Sequence, residues 1–168
     1  RTDLVRAYAE NFGGLYTVAD CVEKEIPTCS PEHSVFYAAE KVAMGQPVVV
    51  VDRGRVMGIV TAKDLAFLSI TSPTIKKPLR IRGISPRGFE TSIKVYPAIM
   101  VSEIMDADIV SAKLEEDLAE VAQIIVRNNL DAVPVVSSGE ELVGVITKQT
   151  ILKALKSSTA KKIREKRS

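Results

Sequence analysis

Thr61 and Asp64 place a hydroxyl and a carboxylate three residues apart, where the apolar run Gly58-Ile59-Val60 gives way to Asp64-Leu65-Ala66-Phe67-Leu68. A carboxylate in the first turn of a helix accepts hydrogen bonds from free backbone N–H groups, so a plain helix cap is one use for this pair. Facing outward, the same two groups can take up the hydroxyls of a ligand. The other reactive side chains offer less. Cys21, Cys29 and the single His33 supply at most three soft ligands and lack the paired spacings of structural zinc sites, so no metal is expected. One histidine in the whole chain leaves little scope for base catalysis near neutral pH. There is no Gly-x-Ser-x-Gly, no phosphate-cradling glycine loop ending in Lys-Ser/Thr and no dinucleotide glycine fingerprint. Nothing in these residue types argues for an enzyme, and no catalytic residue is assigned.

The elements that must position Thr61 and Asp64 can be read from periodicity. Residues 1–12 read as a helix, with Leu4, Val5, Tyr8 and Phe12 at helical spacing and Gly13-Gly14 as a stop. Ile26 to Cys29 is a short extended piece, and Ser30-Pro31-Glu32 is a helix start with Pro in the first turn. That helix carries Val35, Ala38, Ala39 and Val42 on one face. Val48 to Val51 is a buried strand, Asp52-Arg53-Gly54-Arg55 a hairpin turn, and Val56 to Val60 the returning strand.

The same order of elements returns later. Val101 and Ile109 stand 83 residues beyond Val18 and Ile26, and Leu118, Ala122 and Ile125 keep that offset from Val35, Ala39 and Val42. Gly144 and Thr147 stand 86 residues beyond Gly58 and Thr61, which puts three additional residues in the second copy around Asn128-Asn129-Leu130. The fold class is therefore α/β (α+β), built from two tandem β-α-β-β-α units. This alignment sets Cys21 opposite Ile104 and Cys29 opposite Ala112, as core or near-core positions. His33 falls opposite Glu116, in an exposed first turn.

Two units that each end in Gly-aliphatic-aliphatic-Thr and a helix, with Val101-Ser102-Glu103-Ile104-Met105 and Ala132-Val133-Pro134-Val135-Val136 in the second, resemble the cystathionine β-synthase (CBS) domain pair. The resemblance covers residues 18–68 and 101–156. It implies small mixed sheets flanked by helices, packed as a pseudo-two-fold pair, with two clefts that bind adenosine-containing ligands. The ligand it implies is AMP, ADP or ATP, with S-adenosylmethionine as a further candidate and no required cofactor. Carried over residue by residue, it gives the first cleft to Thr61, Asp64, Gly58 and Lys63, with Asp108, Ile109, Ala132, Val133 and Pro134 opposite. Thr147, Ile26, Thr28 and Pro47 fall in the second. There the pattern breaks, since Thr150 stands in the place of Asp64's counterpart, and this cleft is expected to be weak or empty. The resemblance also implies a homodimer formed through the helices at 64–68 and 150–155.

The remaining stretches are basic or terminal. Residues 69–100 form a linker rich in Pro, Gly and Ser that carries Lys76, Lys77, Arg80, Arg82 and Arg87, read as a solvated loop with a short edge strand over 79–82. Residues 157–168 read as a basic tail. Residues 1–17 read as an N-terminal helix in which Asp3-Leu4 sits like Asp64-Leu65, as the end of an upstream repeat would; a helix packed on the first unit is the plainer alternative. Charged residues make up 26% of the chain and the net charge is +2, so it is no polycation, and a nucleic-acid role would rest on the linker and tail alone. No apolar run approaches the roughly 20 residues of a membrane span, and a cytoplasmic location is the default. The leading reading is a non-enzymatic module that senses an adenine nucleotide; the alternative is a nucleic-acid-associated or scaffold protein with unoccupied clefts.

Overall fold

The computed structural model describes the backbone of residues 2–71, 79–84, 90–95 and 99–165, and side chains over 2–66 and 99–159. Helix α1 (Thr2–Asn11) is followed by a short α2 (Val18–Cys21) and the two-residue strand β1 (Thr28–Cys29). Helix α3 (Val35–Ala43) starts where Ser34 accepts a hydrogen bond from the Phe36 N–H, so Ser34 is its cap and Pro31 lies in the turn before it. Strands β2 (Val48–Asp52) and β3 (Arg55–Val60) pair antiparallel across a two-residue turn, with Arg53 and Gly54 both at positive φ (49° and 83°). That is the turn whose twist matches a hairpin. Strand β1 adds to β2 in parallel, and α4 (Ala62–Thr71) closes the first repeat.

The second repeat follows the same plan. A 3-10 turn (Val101–Glu103) precedes a single parallel bridge from Ala112 to Val135, which stands in for β1. Helix α5 (Leu118–Arg127) is capped by Asp117, and β6 (Ala132–Val136) pairs antiparallel with β7 (Leu142–Thr147) before α6 (Lys148–Glu165). Register refines the expected three-residue insertion. Val50 faces Gly58 as Val135 faces Gly144, and Val51 faces Val56 as Val136 faces Leu142. Hence only two of the additional residues precede the strand, and the third lengthens the hairpin turn.

Each repeat's hairpin is completed by the opening segment of the other. Ile59 bridges Asp106, and Val145 bridges Glu23, at equivalent positions of the two copies. Val101, Ile104 and Met105 pack into the core of the first repeat with Cys29, Ala38, Val42, Val48 and Val60. Val18, Cys21 and Val22 pack into the core of the second with Leu118, Val121, Ile125, Val133 and Ile146. A third cluster of Val49, Ile59, Ala132 and Val145 joins the two hairpins face to face. Each of the three clusters thus buries apolar side chains from both repeats, at about 25 cal/mol for each Å² removed from water.

Three expectations change. Helix α1 packs on α5 and α6 of the second repeat, not on the first, burying Val5, Tyr8 and Ala9 while Leu4 stays 52% exposed. Its following turn is held there by Asp117, which accepts from the N–H groups of both Gly14 and Ala119. The linker contains a hairpin, β4 (Leu79–Ile84) with β5 (Glu90–Val95), in which Leu79 pairs with Val95 and Ile81 with Ile93. Lys76, Lys77 and Arg87 lie outside the described residues. Finally, α6 runs through Glu165, so most of the predicted tail is helix.

Candidate ligand cleft

The Thr61–Asp64 pair forms a cap. Asp64 Oδ2 accepts from the Thr61 N–H at 2.7 Å and from Thr61 Oγ1 at 2.8 Å, at the start of α4. Both residues are half-buried, and Asp64 Oδ1 takes no hydrogen bond from any described residue. Thr17 and Asp20 repeat this geometry in an exposed setting, with Asp20 Oδ2 accepting from the Thr17 N–H at 2.9 Å and hydroxyl at 3.0 Å. The motif is therefore a structural device first, and its position decides whether it can also bind.

At the head of α6 the device is built from two threonines and a distant carboxylate. Thr147 Oγ1 and Thr150 Oγ1 are 2.9 Å apart, and the Thr150 hydroxyl donates to Glu23 Oε1 at 2.9 Å. Lys153 Nζ reaches the same Glu23 oxygen at 3.3 Å. Glu23 was not among the residues singled out from sequence. A lone Glu in an opening segment carries no motif, and only the exchange of those segments brings it to the cleft.

Between the two helix starts lies a charged cluster shared by both repeats. Asp131, just before β6, pairs with Lys148 at 2.8 Å and with Lys63 of the first repeat at 3.5 Å. The Lys63 ammonium also donates to the Asn129 carbonyl. Partial burial on its own would raise the Asp131 carboxyl, but the hydrogen bond and charge of Lys148, reinforced by Lys63, outweigh it and hold the group below the usual carboxylate range.

These groups rim a cavity of about 570 Å³. Thr61, Ala62, Gln46 and Pro47 line it from the first repeat, Asp131, Ala132, Thr147 and Lys148 from the second, and Glu23 and Lys153 complete one side. Of the residues assigned from sequence, Thr61, Ala132, Thr147 and Pro47 therefore face one shared space. Lys63 reaches its edge through Asp131. Asp64 does not line the cavity, and meets Thr61 through the two cap hydrogen bonds.

The others are placed differently. Gly58 is buried where a Cβ would lie 2.6 Å from Met105 Sδ and 2.9 Å from the Asp106 carbonyl oxygen, so its role is close packing of strand on segment. Val133 is wholly buried in the second core, and Pro134 is buried with its carbonyl taken by the Ala112 N–H. Their side chains face the interior, because alternate residues of a strand buried on both faces serve two packing layers. Ile26 packs against the inter-repeat cluster, and Thr28 is an exposed strand residue whose carbonyl accepts from Tyr37. Asp108 is exposed and half-buried Ile109 follows it in a tight turn beside Asp106. Cys29 is buried opposite Ala112, Cys21 is half-buried, and burial pushes both thiols up. His33 is exposed, its ring 5.1 Å from that of Tyr37.

The CBS domain family model matches the chain twice, over residues 18–70 and 101–157. The chain belongs to the CBS-domain family. Solved CBS-domain structures share its fold: protein MJ1225 of Methanocaldococcus jannaschii superposes with a TM-score of 0.70 at 24% identity, over 91% of this chain and 52% of that one. The CBS domain pair of protein MJ0100, solved with 5′-methylthioadenosine and S-adenosyl-L-methionine, gives 0.66 at 21% identity over 85% and 98% of the two chains. CBSX2, solved with AMP, gives 0.64 at 18% over 86% and 98%. By sequence, the chain is 29% identical over 133 residues to inosine-5′-monophosphate dehydrogenase of Thermoplasma acidophilum, covering 77% of this chain and 21% of the enzyme. It spans about half of MJ1225, 51% of that protein's length.

Proposed function

We propose that this CBS-domain pair is a non-enzymatic regulatory module that binds an adenosine nucleotide of the AMP, ADP or ATP class between its repeats. The observation that carries this reading is the cavity of about 570 Å³ lined by both repeats, within the range of small-molecule sites. Asp64 does not itself line that cavity; its Oδ1, which takes no hydrogen bond from a described residue, is left to accept from a ribose hydroxyl beside Thr61 while Oδ2 keeps the helix capped. Lys63 and Lys148 stand ready for phosphate, held meanwhile by Asp131. A phosphate that competes for these lysines weakens the Lys63–Asp131 tie between repeats, and so shifts their relative arrangement by its differential affinity for the two states. Adenosyl ligands in two solved relatives of the same fold support the ligand class.

Self-association belongs to the same proposal, with a changed surface. Along α6, Ile151 and Ala154 are buried and Leu152 and Leu155 pack on the second core beneath α1, so the stretch expected at an interface is already covered within the chain. Phe36, 68% exposed, with Tyr37 and Met44, gives α3 an apolar surface for a second copy, while the side chains of Phe67 and Leu68 on the other expected helix lie outside the described residues.

Thermal shift in AMP, ATP and S-adenosylmethionine tests the ligand reading. A ligand at a hundred times its dissociation constant stabilises by about 2.7 kcal/mol. An unchanged melting temperature with all three, together with an Asp64→Ala variant that behaves as wild type, returns the protein to the scaffold reading.

A further inference from the structure

Helix α6 carries six lysines and arginines against one acidic residue, Glu165, in a chain whose net charge is +2. The rest of the chain is therefore net acidic, and the positive charge is gathered. Within the helix it follows the register. Ile151, Ala154 and Ser158 are buried and spaced as one helix face. The positions that continue this face, three and four beyond Ser158, are Lys161 and Lys162. A helix still seated on a core carries apolar residues at such positions. On the opposite side Lys153 and Lys156 are exposed, and Arg164 returns to that side after three further turns from Lys153. The helix dipole favours cations only within the last turn, so it leaves Lys153, Lys156 and Lys161 unaccounted for.

The linker hairpin adds the same charge in strand form. Register sets Arg80 opposite Lys94 and Arg82 opposite Ser92, alternating with the apolar pairs Leu79–Val95 and Ile81–Ile93. Like charges directly opposite each other weaken a sheet, and a two-stranded hairpin has little stability to spare. A bound anion removes that cost.

We infer that α6 and the linker hairpin hold the phosphate backbone of a nucleic acid, without reading its sequence. Phosphate contacts supply non-specific affinity through counterion release and need no apolar anchor. Other polyanions fit less well. A helix that lies on a membrane turns an apolar face to the lipid, and the apolar face of α6 is already packed on the second core and α1. A protein partner is held by buried aromatic or aliphatic anchors, whereas the outer side of α6 exposes Gln149, Lys153, Lys156 and Ser157. Nucleic-acid binding at these elements is independent of any ligand in the cleft.

Fluorescence anisotropy of the full chain with a labelled DNA duplex of about 20 base pairs, at about 50 to 200 mM salt, tests this. Affinity is expected to fall steeply with salt. The triple variant Lys161→Gln, Lys162→Gln, Arg164→Gln should take about 0.9 off the slope of log K against log salt for each cation removed, and Arg80→Gln with Arg82→Gln should lower it in the same way. Lys153 stays in place, because it also lines the ligand cavity and pairs with Glu23. Lys161→Arg with Lys162→Arg keeps both affinity and slope, which separates loss of charge from a folding defect. No duplex bound at the lowest salt, or a slope that the triple variant leaves unchanged, overturns the inference. So does equal or tighter binding to phosphatidylserine vesicles, which assigns the surface to a membrane, or to poly-glutamate, which assigns it to an acidic protein.

Discussion

Lys63, in the first turn of α4, ion-pairs with Asp131 of the other repeat at 3.5 Å, and Asp131 is held on its far side by Lys148 at 2.8 Å. One carboxylate therefore links the helix starts of both repeats. Its lowered titration has a definite sign in stability. The Asp131 contribution is fully present above the ordinary carboxylate value of about 4 and is lost as pH falls through the lower folded value. Asp131→Asn is expected to flatten the fall of melting temperature below about pH 4. At neutral pH it costs under about 1 kcal/mol, because Asp131 and Lys63 are both more than a third exposed. Acid melts of the two proteins that run parallel would remove Asp131 from this role.

Gly144→Ala should be the harsher of two matched glycine substitutions. Its new Cβ meets the Glu23 carbonyl oxygen at 2.5 Å, a backbone atom fixed by two bridge hydrogen bonds. At Gly58 the nearest atom is the flexible Met105 Sδ at 2.6 Å, with backbone only at 2.9 Å. Overpacking of this kind costs about 1–3 kcal/mol, and urea unfolding should place Gly144→Ala at the upper end and Gly58→Ala below it.

Asp64→Asn separates binding from capping. An amide oxygen still accepts from Thr61, so stability should fall by less than about 1 kcal/mol, while AMP affinity falls roughly tenfold to a hundredfold. Asp64→Ala removes the cap as well and adds about 0.5–2 kcal/mol of destabilisation. Calorimetry paired with a melt of each variant checks both halves.

Tyr8 is wholly buried, stacked on Phe12 with ring centroids 5.6 Å apart, and its hydroxyl has no hydrogen-bond partner among the described residues. Burial, then the nearby Cys21 and Asp117, pushes its ionisation up, so the hydroxyl stays neutral. Tyr8→Phe should leave stability unchanged or raise it by about 1 kcal/mol, since it removes an unsatisfied polar atom. Tyr8→Ala should cost about 3–5 kcal/mol by opening a cavity under α1. A Tyr8→Phe protein markedly less stable than wild type would reveal a partner for that hydroxyl.

Periodicity carried the repeat, because an apolar helix face or strand must recur wherever the same core recurs. Cys29 and Ala112, paired from sequence offset alone, are both buried in the structure and sit on equivalent strand positions. What periodicity cannot carry is which surface an element meets. Val5 and Tyr8 mark a buried face on α1, yet nothing local says that α5 and α6 cover it. Glu23 was illegible for the same reason, since its meaning comes from Val145 and Thr150, more than a hundred residues away in the chain. The second linker strand was legible and overlooked: Thr91, Ile93 and Val95 alternate like a strand within a Pro- and Gly-rich setting. Helix α6 runs on through Glu165 because Ala, Lys, Arg and Glu favour the helix by intrinsic propensity, a weaker signal in the sequence than an apolar stripe.

The exchange of opening segments also bears on how the chain is made. When the first hairpin leaves the ribosome, the edge of β3 that receives Asp106 is still bare, and Met105 is not yet there to cover Gly58. The second hairpin finds its partner, Val22-Glu23, already synthesised and waiting. Closure is thus a late, long-range event that completes both sheets together, slower than local pairing because a long loop must be gathered first. The smallest cooperative folding unit is the pair, and a chain severed within residues 69–100 should regain structure only when its two halves are mixed.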